Sequence, residues 1–158
     1  RLVDELIRVG AYTAAMEERY CRSVVEGPVE WVFDVAHNEG SAEVLVQTLI
    51  ERRSAGRTLL VAGMLKDKDA AVVARILKPV VGATDTVVAV TLPGDRGRAG
   101  AELAAVWSPL LGTDVRSSDS VEEGCEVAAS LAREGDRVVV FGSFHTVAPA
   151  LAWRQRRS

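Results

Sequence analysis

Apolar and polar positions along this chain follow two alternating rhythms. Val29 to Val35, Thr58 to Ala62, Thr86 to Thr91 and Arg137 to Phe141 are short, almost unbroken apolar runs, the pattern of strands buried on both faces. Between them lie longer stretches whose apolar residues recur three and four apart, as on one face of a helix. Ala42, Leu45, Val46, Leu49 and Ile50 mark one from about Ser41 to Arg52, which Gly56 separates from the next strand. Val72, Val73, Ile76 and Leu77 mark a second, with Asp67 or Asp69 as its cap and Pro79 closing it. Leu103, Val106, Trp107 and Leu110 mark a third. A short strand near Val115 precedes Asp119-Ser120-Val121-Glu122-Glu123, which has the form of a capping box for a helix ending at Gly135. Residues 2 to 20 read as a helix weakened at Gly10, and Arg22 to Val25 as a strand joined to the next by Glu26-Gly27-Pro28. A short last helix, disturbed by Pro149, ends in the basic tail Arg154 to Arg157. Strands and helices taking turns predict an α/β three-layer sandwich. Its sheet is mostly parallel, with right-handed crossovers and an antiparallel edge at Arg22 to Val25.

Composition narrows the class without naming a function. The 158 residues suffice for one domain with a real core, and 48% apolar with 26% charged residues is the balance of a globular protein. A net charge of −3 supplies no global field for nucleic acid or an anionic membrane. No apolar stretch approaches the roughly 20 residues that span a bilayer. The acids in Arg1-Leu2-Val3-Asp4-Glu5 exclude a secretory signal there, so a cytoplasmic location is expected. The first residue is not Met, and the chain is expected to be part of a longer one. Cys21 and Cys125 lack ligand spacing and read as two reduced thiols, so no metal centre is expected.

Two of the apolar runs break off into reactive side chains, and both histidines lie there. In Asp34-Val35-Ala36-His37-Asn38, Asn38 is placed to cap the next helix, whose free N–H groups favour an anion. Asp34 could accept from ribose hydroxyls or bind Mg²⁺, and His37 could meet a base or a phosphate; alternatively Asp34 and Asn38 satisfy the turn and His37 is solvated. In Gly142-Ser143-Phe144-His145-Thr146 a nucleophilic Ser143 with His145 as base is one reading. The G-x-S-x-G elbow is absent, however, and hydrogen bonding to a carboxylate or nucleotide fits better. Gly63-Met64-Leu65-Lys66-Asp67-Lys68-Asp69 follows another strand, and Lys66 and Lys68 could meet a phosphate or stay solvated beside an ordinary cap. Gly94-Asp95-Arg96-Gly97-Arg98-Ala99-Gly100 does not have dinucleotide spacing and reads as a mobile basic loop, from which Arg96 and Arg98 could reach an anionic substrate. If the two runs are parallel strands of one sheet, Asp34, His37, Ser143 and His145 can face the same crevice beyond their carboxyl ends.

Asp34-Val-Ala-His-Asn38, Met64-Leu-Lys-Asp-Lys-Asp69 and Val140-Phe-Gly-Ser-Phe-His-Thr-Val147 resemble three signature segments of the C-terminal domain of folylpolyglutamate synthase/dihydrofolate synthase, a branch of the Mur ligase superfamily. Their order and spacing fit over about residues 22 to 150, and the Ser143 segment discriminates best. The resemblance implies a Rossmann-like domain over residues 22–158, preceded by a helical or linker segment at 1–21. It implies a parent enzyme in which ATP phosphorylates a folate or dihydropteroate carboxylate and the amine of L-glutamate attacks the acyl phosphate. An N-terminal P-loop domain would be this domain's partner, holding most of the Mg²⁺ and folate sites. Arg22, Asp34, His37 and Asn38 would then lie on the nucleotide side, Ser143 and His145 nearer the glutamate, with Lys66 and Lys68 on a phosphate or substrate loop.

The chain departs from the family pattern in two places. Tyr20-Cys21-Arg22 stands where Pro-Gly-Arg is usual, and Glu39 replaces the proline after Asn38; a carboxylate there suits the helix dipole but repels a phosphate. No G-x-x-x-x-G-K-[ST] occurs, so no complete catalytic set is expected in these residues. Two other readings stay open: a ligase-like binding or scaffold module without catalysis, and a hydrolase using Asp34, His37 and Ser143.

Overall fold

The computed structural model describes residues 21–52 and 55–157. The helix expected over residues 2 to 20, and with it nearly all of the expected 1–21 segment, lies outside the described residues. In chain order the elements are β1 (Cys21–Glu26), β2 (Val29–Asp34), α1 (Glu39–Glu51), β3 (Thr58–Ala62) and α2 (Ala70–Leu77), which runs into a 3₁₀ turn at Lys78–Val80. Then come β4 (Thr86–Val90), α3 (Gly100–Leu111), β5 (Asp114–Ser118), α4 (Val121–Leu131), β6 (Arg137–Phe141) and α5 (Phe144–Arg157).

Among the described residues the sheet has six strands in the order β1-β2-β6-β3-β4-β5. Only β1 runs antiparallel, joined to β2 around Gly27, whose φ of 59° suits a residue without a Cβ. The unbroken apolar runs take the middle: β3, β4 and β6 are buried at every position. The polar β5, Asp-Val-Arg-Ser-Ser, forms an edge, where charge also discourages pairing with other chains. Strand pleating sorts the core into two halves. Val32, Leu60, Val87 and Val139 face α1, α2 and α3, while Phe33, Val61, Val88 and Val140 face α4 and α5. The predicted three-layer sandwich with an antiparallel edge is therefore the observed fold.

The last helix departs from expectation. It is not short but 14 residues long, and Pro149 lies inside it. An internal proline forfeits one helical hydrogen bond at about 3 kcal/mol. The same helix buries Val147, Leu151 and Trp153 against the sheet, each worth about 1.5–3 kcal/mol, so burial outweighs the defect. Pro109 sits within α3 under the same balance, with Leu103, Trp107 and Leu111 buried.

Candidate functional site

Strand register brings the signature segments together. Asp34, the last residue of β2, pairs with Phe141, the last of β6, and Phe141 pairs with Ala62, the last of β3. Three neighbouring strands thus end level, and the loops that follow them lie side by side on the carboxyl edge. The expected gathering of the two histidine clusters on one rim is what the topology produces. Two glycines permit it. Gly142 has φ +134°, and a methyl there would lie 1.7 Å from the Gly63 carbonyl oxygen. The loops leaving β3 and β6 therefore touch backbone to backbone.

Beside β2, the short loop folds on itself through hydrogen bonds. Asp34 Oδ1 accepts from Ala36 N–H at 2.8 Å, and the Cys21 thiol, its partner across the β1–β2 pair, also donates to it. Burial raises the Asp34 carboxyl above its ordinary pKa, and those two hydrogen bonds only partly offset it. Asn38 caps α1: its side chain accepts from Ser41 N–H at 3.0 Å, while Ser41 Oγ accepts from Asn38 N–H at 3.2 Å. This reciprocal cap was hidden in the sequence because Ser stands where Glu or Gln is usual. His37 Nδ1 lies 2.7 Å from the Val35 carbonyl, so Nδ1 carries a proton and the neutral ring offers a lone pair at Nε2. In that tautomer Nε2 is an acceptor for a hydroxyl or amine donor. A cavity of about 360 Å³ opens here, lined by His37, Asn38, Gly40, Ser41 and Val44. Arg22 lies nearby but pairs with Phe33, which places it on the opposite face of the sheet from Asp34.

Beside β6, Ser143 is 1% exposed, and its Oγ accepts from His145 N–H at 3.1 Å at the start of α5. Among the described residues no hydrogen bond joins Ser143 to either imidazole, and its burial leaves it no path to a bulky ester. The nucleophilic arrangement therefore does not form. His145 is exposed, its ring edge-on to Phe144 with centroids 5.9 Å apart. Thr146, not singled out from the sequence, is fully buried and donates to the Gly63 carbonyl at 3.2 Å, tying α5 to the loop after β3.

Asp69, not Asp67, caps α2, accepting from Val72 N–H at 3.1 Å. Lys66 is exposed and Lys68 half-buried. The expected mobile loop at 94–100 is instead tied to this segment. Leu65 and Gly97 form a β-bridge, Lys66 N–H donates to the Arg96 carbonyl at 2.8 Å, and Arg98 N–H donates to the Met64 carbonyl at 3.1 Å. Arg98 does not reach outward for a substrate. Its side chain turns inward onto backbone carbonyls, because a buried guanidinium must find acceptors.

Against known proteins, a family model described as Mur ligase, glutamate ligase domain, matches residues 18–144. The chain belongs to this family. Among curated relatives of this Mur ligase domain, the dihydrofolate synthase/folylpolyglutamate synthase of Escherichia coli is 39% identical over 145 residues, 92% of this chain and 32% of the relative. The solved structure of E. coli FolC in complex with ADP superposes with a TM-score of 0.76 at 37% identity, covering 97% of this chain and 35% of that one. A bifunctional folylpolyglutamate synthase/dihydrofolate synthase with Mn, AMPPNP and L-glutamate bound has a TM-score of 0.73 at 30% identity, covering 92% and 32%. The Mur ligase domain described here thus spans about a third of the length of these relatives. No helix among its described residues is long and apolar enough to cross a membrane.

Proposed function

We propose that this Mur ligase domain is the C-terminal, nucleotide- and glutamate-facing part of an ATP-dependent folate:glutamate amide ligase acting in the cytoplasm. One observation carries the reading: the three segments that resemble the synthases' signatures leave from adjacent strands that end level, so that a ligand on this edge would meet them together. Relatives solved with ADP, or with AMPPNP and L-glutamate, support the ligand classes. ATP would supply the phosphoryl group that activates the folate or dihydropteroate carboxylate, and an N-terminal P-loop domain of the parent would hold the triphosphate.

Within this chain, the cavity at α1 fits part of a nucleotide. It combines the Nε2 of His37, the first N–H groups of α1 and the exposed Val44, an apolar surface a base can cover. Asp34 and Asn38 hold that loop in shape, while Arg22, on the opposite face of the sheet, stays outside this cavity. On the other side of the row, the exposed His145 would orient glutamate, Ser143 holding that loop in shape through the His145 N–H, with Lys66 and Lys68 nearest the anionic groups. Among the described residues no group of three or more His, Cys, Asp or Glu side chains converges, and Mg²⁺ would be held mainly by the parent's N-terminal domain. Its own contribution is positioning and the exclusion of water from a hydrolysable acyl phosphate.

The test is to express the parent protein and supply ATP, Mg²⁺, L-glutamate and either dihydropteroate or a reduced folate. Amide product formed in step with ADP supports the reading. A coding sequence that places no P-loop domain before Arg1, or a parent that yields no amide, overturns it in favour of a binding module.

A further inference from the structure

Arg98 is one of two buried cations among the described residues; the other, Arg137, serves carbonyls at the amino end of the sheet, away from the signature loops. Arg98 is 9% exposed, and one of its nitrogens, Nη2, donates to three successive-loop carbonyls: Leu65 at 3.4 Å, Lys66 at 3.1 Å and Lys68 at 2.7 Å. Nη1 donates to Glu102 on α3 at 3.0 Å, and Nε is buried without a partner. The backbone repeats the attachment, through Arg98 N–H to Met64 and Lys66 N–H to the Arg96 carbonyl. An ion pair of 3.7 Å between Arg96 and Asp67 adds a weaker exterior tie. A surface turn of this length needs no buried cation to close, since Lys68 N–H already bonds the Leu65 carbonyl at 3.2 Å. What the guanidinium adds is shape: one planar group sets the relative positions of the carbonyls on either side of both lysines.

We propose that Arg98 is a positioning residue for the substrate loop, holding Lys66 and Lys68 in register with the Ser143–His145 loop so that glutamate is oriented for attack. The inference deepens the ligase reading above and rests on it. It assigns the 94–100 segment to the substrate loop's architecture rather than to direct contact with an anion. A lysine at 98 keeps the charge but, with a single nitrogen, cannot hold Glu102 and the loop carbonyls from two fixed positions of one plane.

The test uses the full-length parent enzyme, comparing wild type with Arg98→Lys and with Glu102→Gln, a milder change at an exposed carboxylate. In Arg98→Lys the KM for glutamate is expected to rise roughly tenfold, with the KM for ATP changed less than about twofold, beside a lower Tm from the hydrogen bonds given up. Glu102→Gln should show the same split at about two- to threefold. Equal rises in both KM values, a fall in kcat or Tm with no split, or unchanged kinetics make Arg98 a structural brace only and overturn the inference. If Arg98→Lys does not fold, Glu102→Gln decides by the same criterion. A wild-type parent that forms no amide sinks the ligase reading, and this one with it; wild-type ligation without the split sinks this one alone.

Discussion

Asp34 and Asp136 occupy opposite ends of adjacent parallel strands, and their carboxyls are shifted in opposite directions. At the carboxyl end, burial dominates and raises the Asp34 pKa. At the amino end, burial also pushes Asp136 upward, but backbone N–H bonds from Arg133 and Arg57 and the Arg57 guanidinium at 3.0 Å reverse it, and its pKa is lowered. The consequences for stability have opposite sign. The folded state favours protonated Asp34, so its contribution is present at low pH and is lost as pH rises through the raised folded value. Asp34→Asn, which keeps an acceptor for Ala36 N–H, should therefore match or exceed wild-type Tm at neutral pH and lose that advantage towards acid. In the parent enzyme the same change should reduce ligation. Thermal melts across pH, beside a ligation assay, check the pair. For Asp136 the contribution is present above the ordinary carboxylate pKa and vanishes as pH falls through the depressed folded value. Asp136→Asn should cost about 2–3 kcal/mol near pH 7, from weakened charge-assisted hydrogen bonds at a site 4% exposed, and progressively less in acid. Denaturant titrations at two pH values measure this.

At the scale of elements, the site depends on how closely the ends of β3 and β6 approach. Gly63 and Gly142 face one another there, but their substitutions should differ sharply. A methyl at 142 meets the Gly63 carbonyl oxygen at 1.7 Å and sits at φ +134°, so backbone must move and the strand ends must part. Gly142→Ala is expected to cost more than about 4 kcal/mol and to prevent folding or ligation. A methyl at 63 meets the side chains of Leu92 and Val90 at 2.8 and 2.9 Å, which can shift; Gly63→Ala should cost about 1–3 kcal/mol and leave a folded protein. Circular dichroism with urea titration separates the two outcomes. Helix α5 carries the same message: its Ser143 cap and the Thr146 bond to Gly63 stitch it to the edge where ligands would sit.

At the scale of the molecule, a lone domain of this kind should bind and orient rather than turn over. The 158-residue chain carries no P-loop motif, and it is expected to show no ATP-dependent glutamate ligation when purified alone. Measurable amide formation, after a control for contaminating full-length enzyme, contradicts that expectation.

The layering and all six described strands were legible in the pattern, because a strand buried on both faces must be apolar throughout and a helix on its flank must be apolar every three or four residues. So were the cap at Asn38, the cap of α2 to within Asp67 or Asp69, and the three signature segments, whose chemistry is short-range. Adjacency was not legible. That β6 inserts between β2 and β3, bringing residues 34, 62 and 141 level, is a property of strand order, which local periodicity does not encode. Nor could the sequence show that Arg98 turns inward: a guanidinium in a glycine-rich loop looks solvated until the carbonyls of a segment 30 residues away close around it. The unbroken run through Pro149 was likewise decided by packing, since only the assembled sheet presents the surface whose burial outweighs one lost hydrogen bond. Local propensity wrote the elements; long-range contact chose which of their ends would meet.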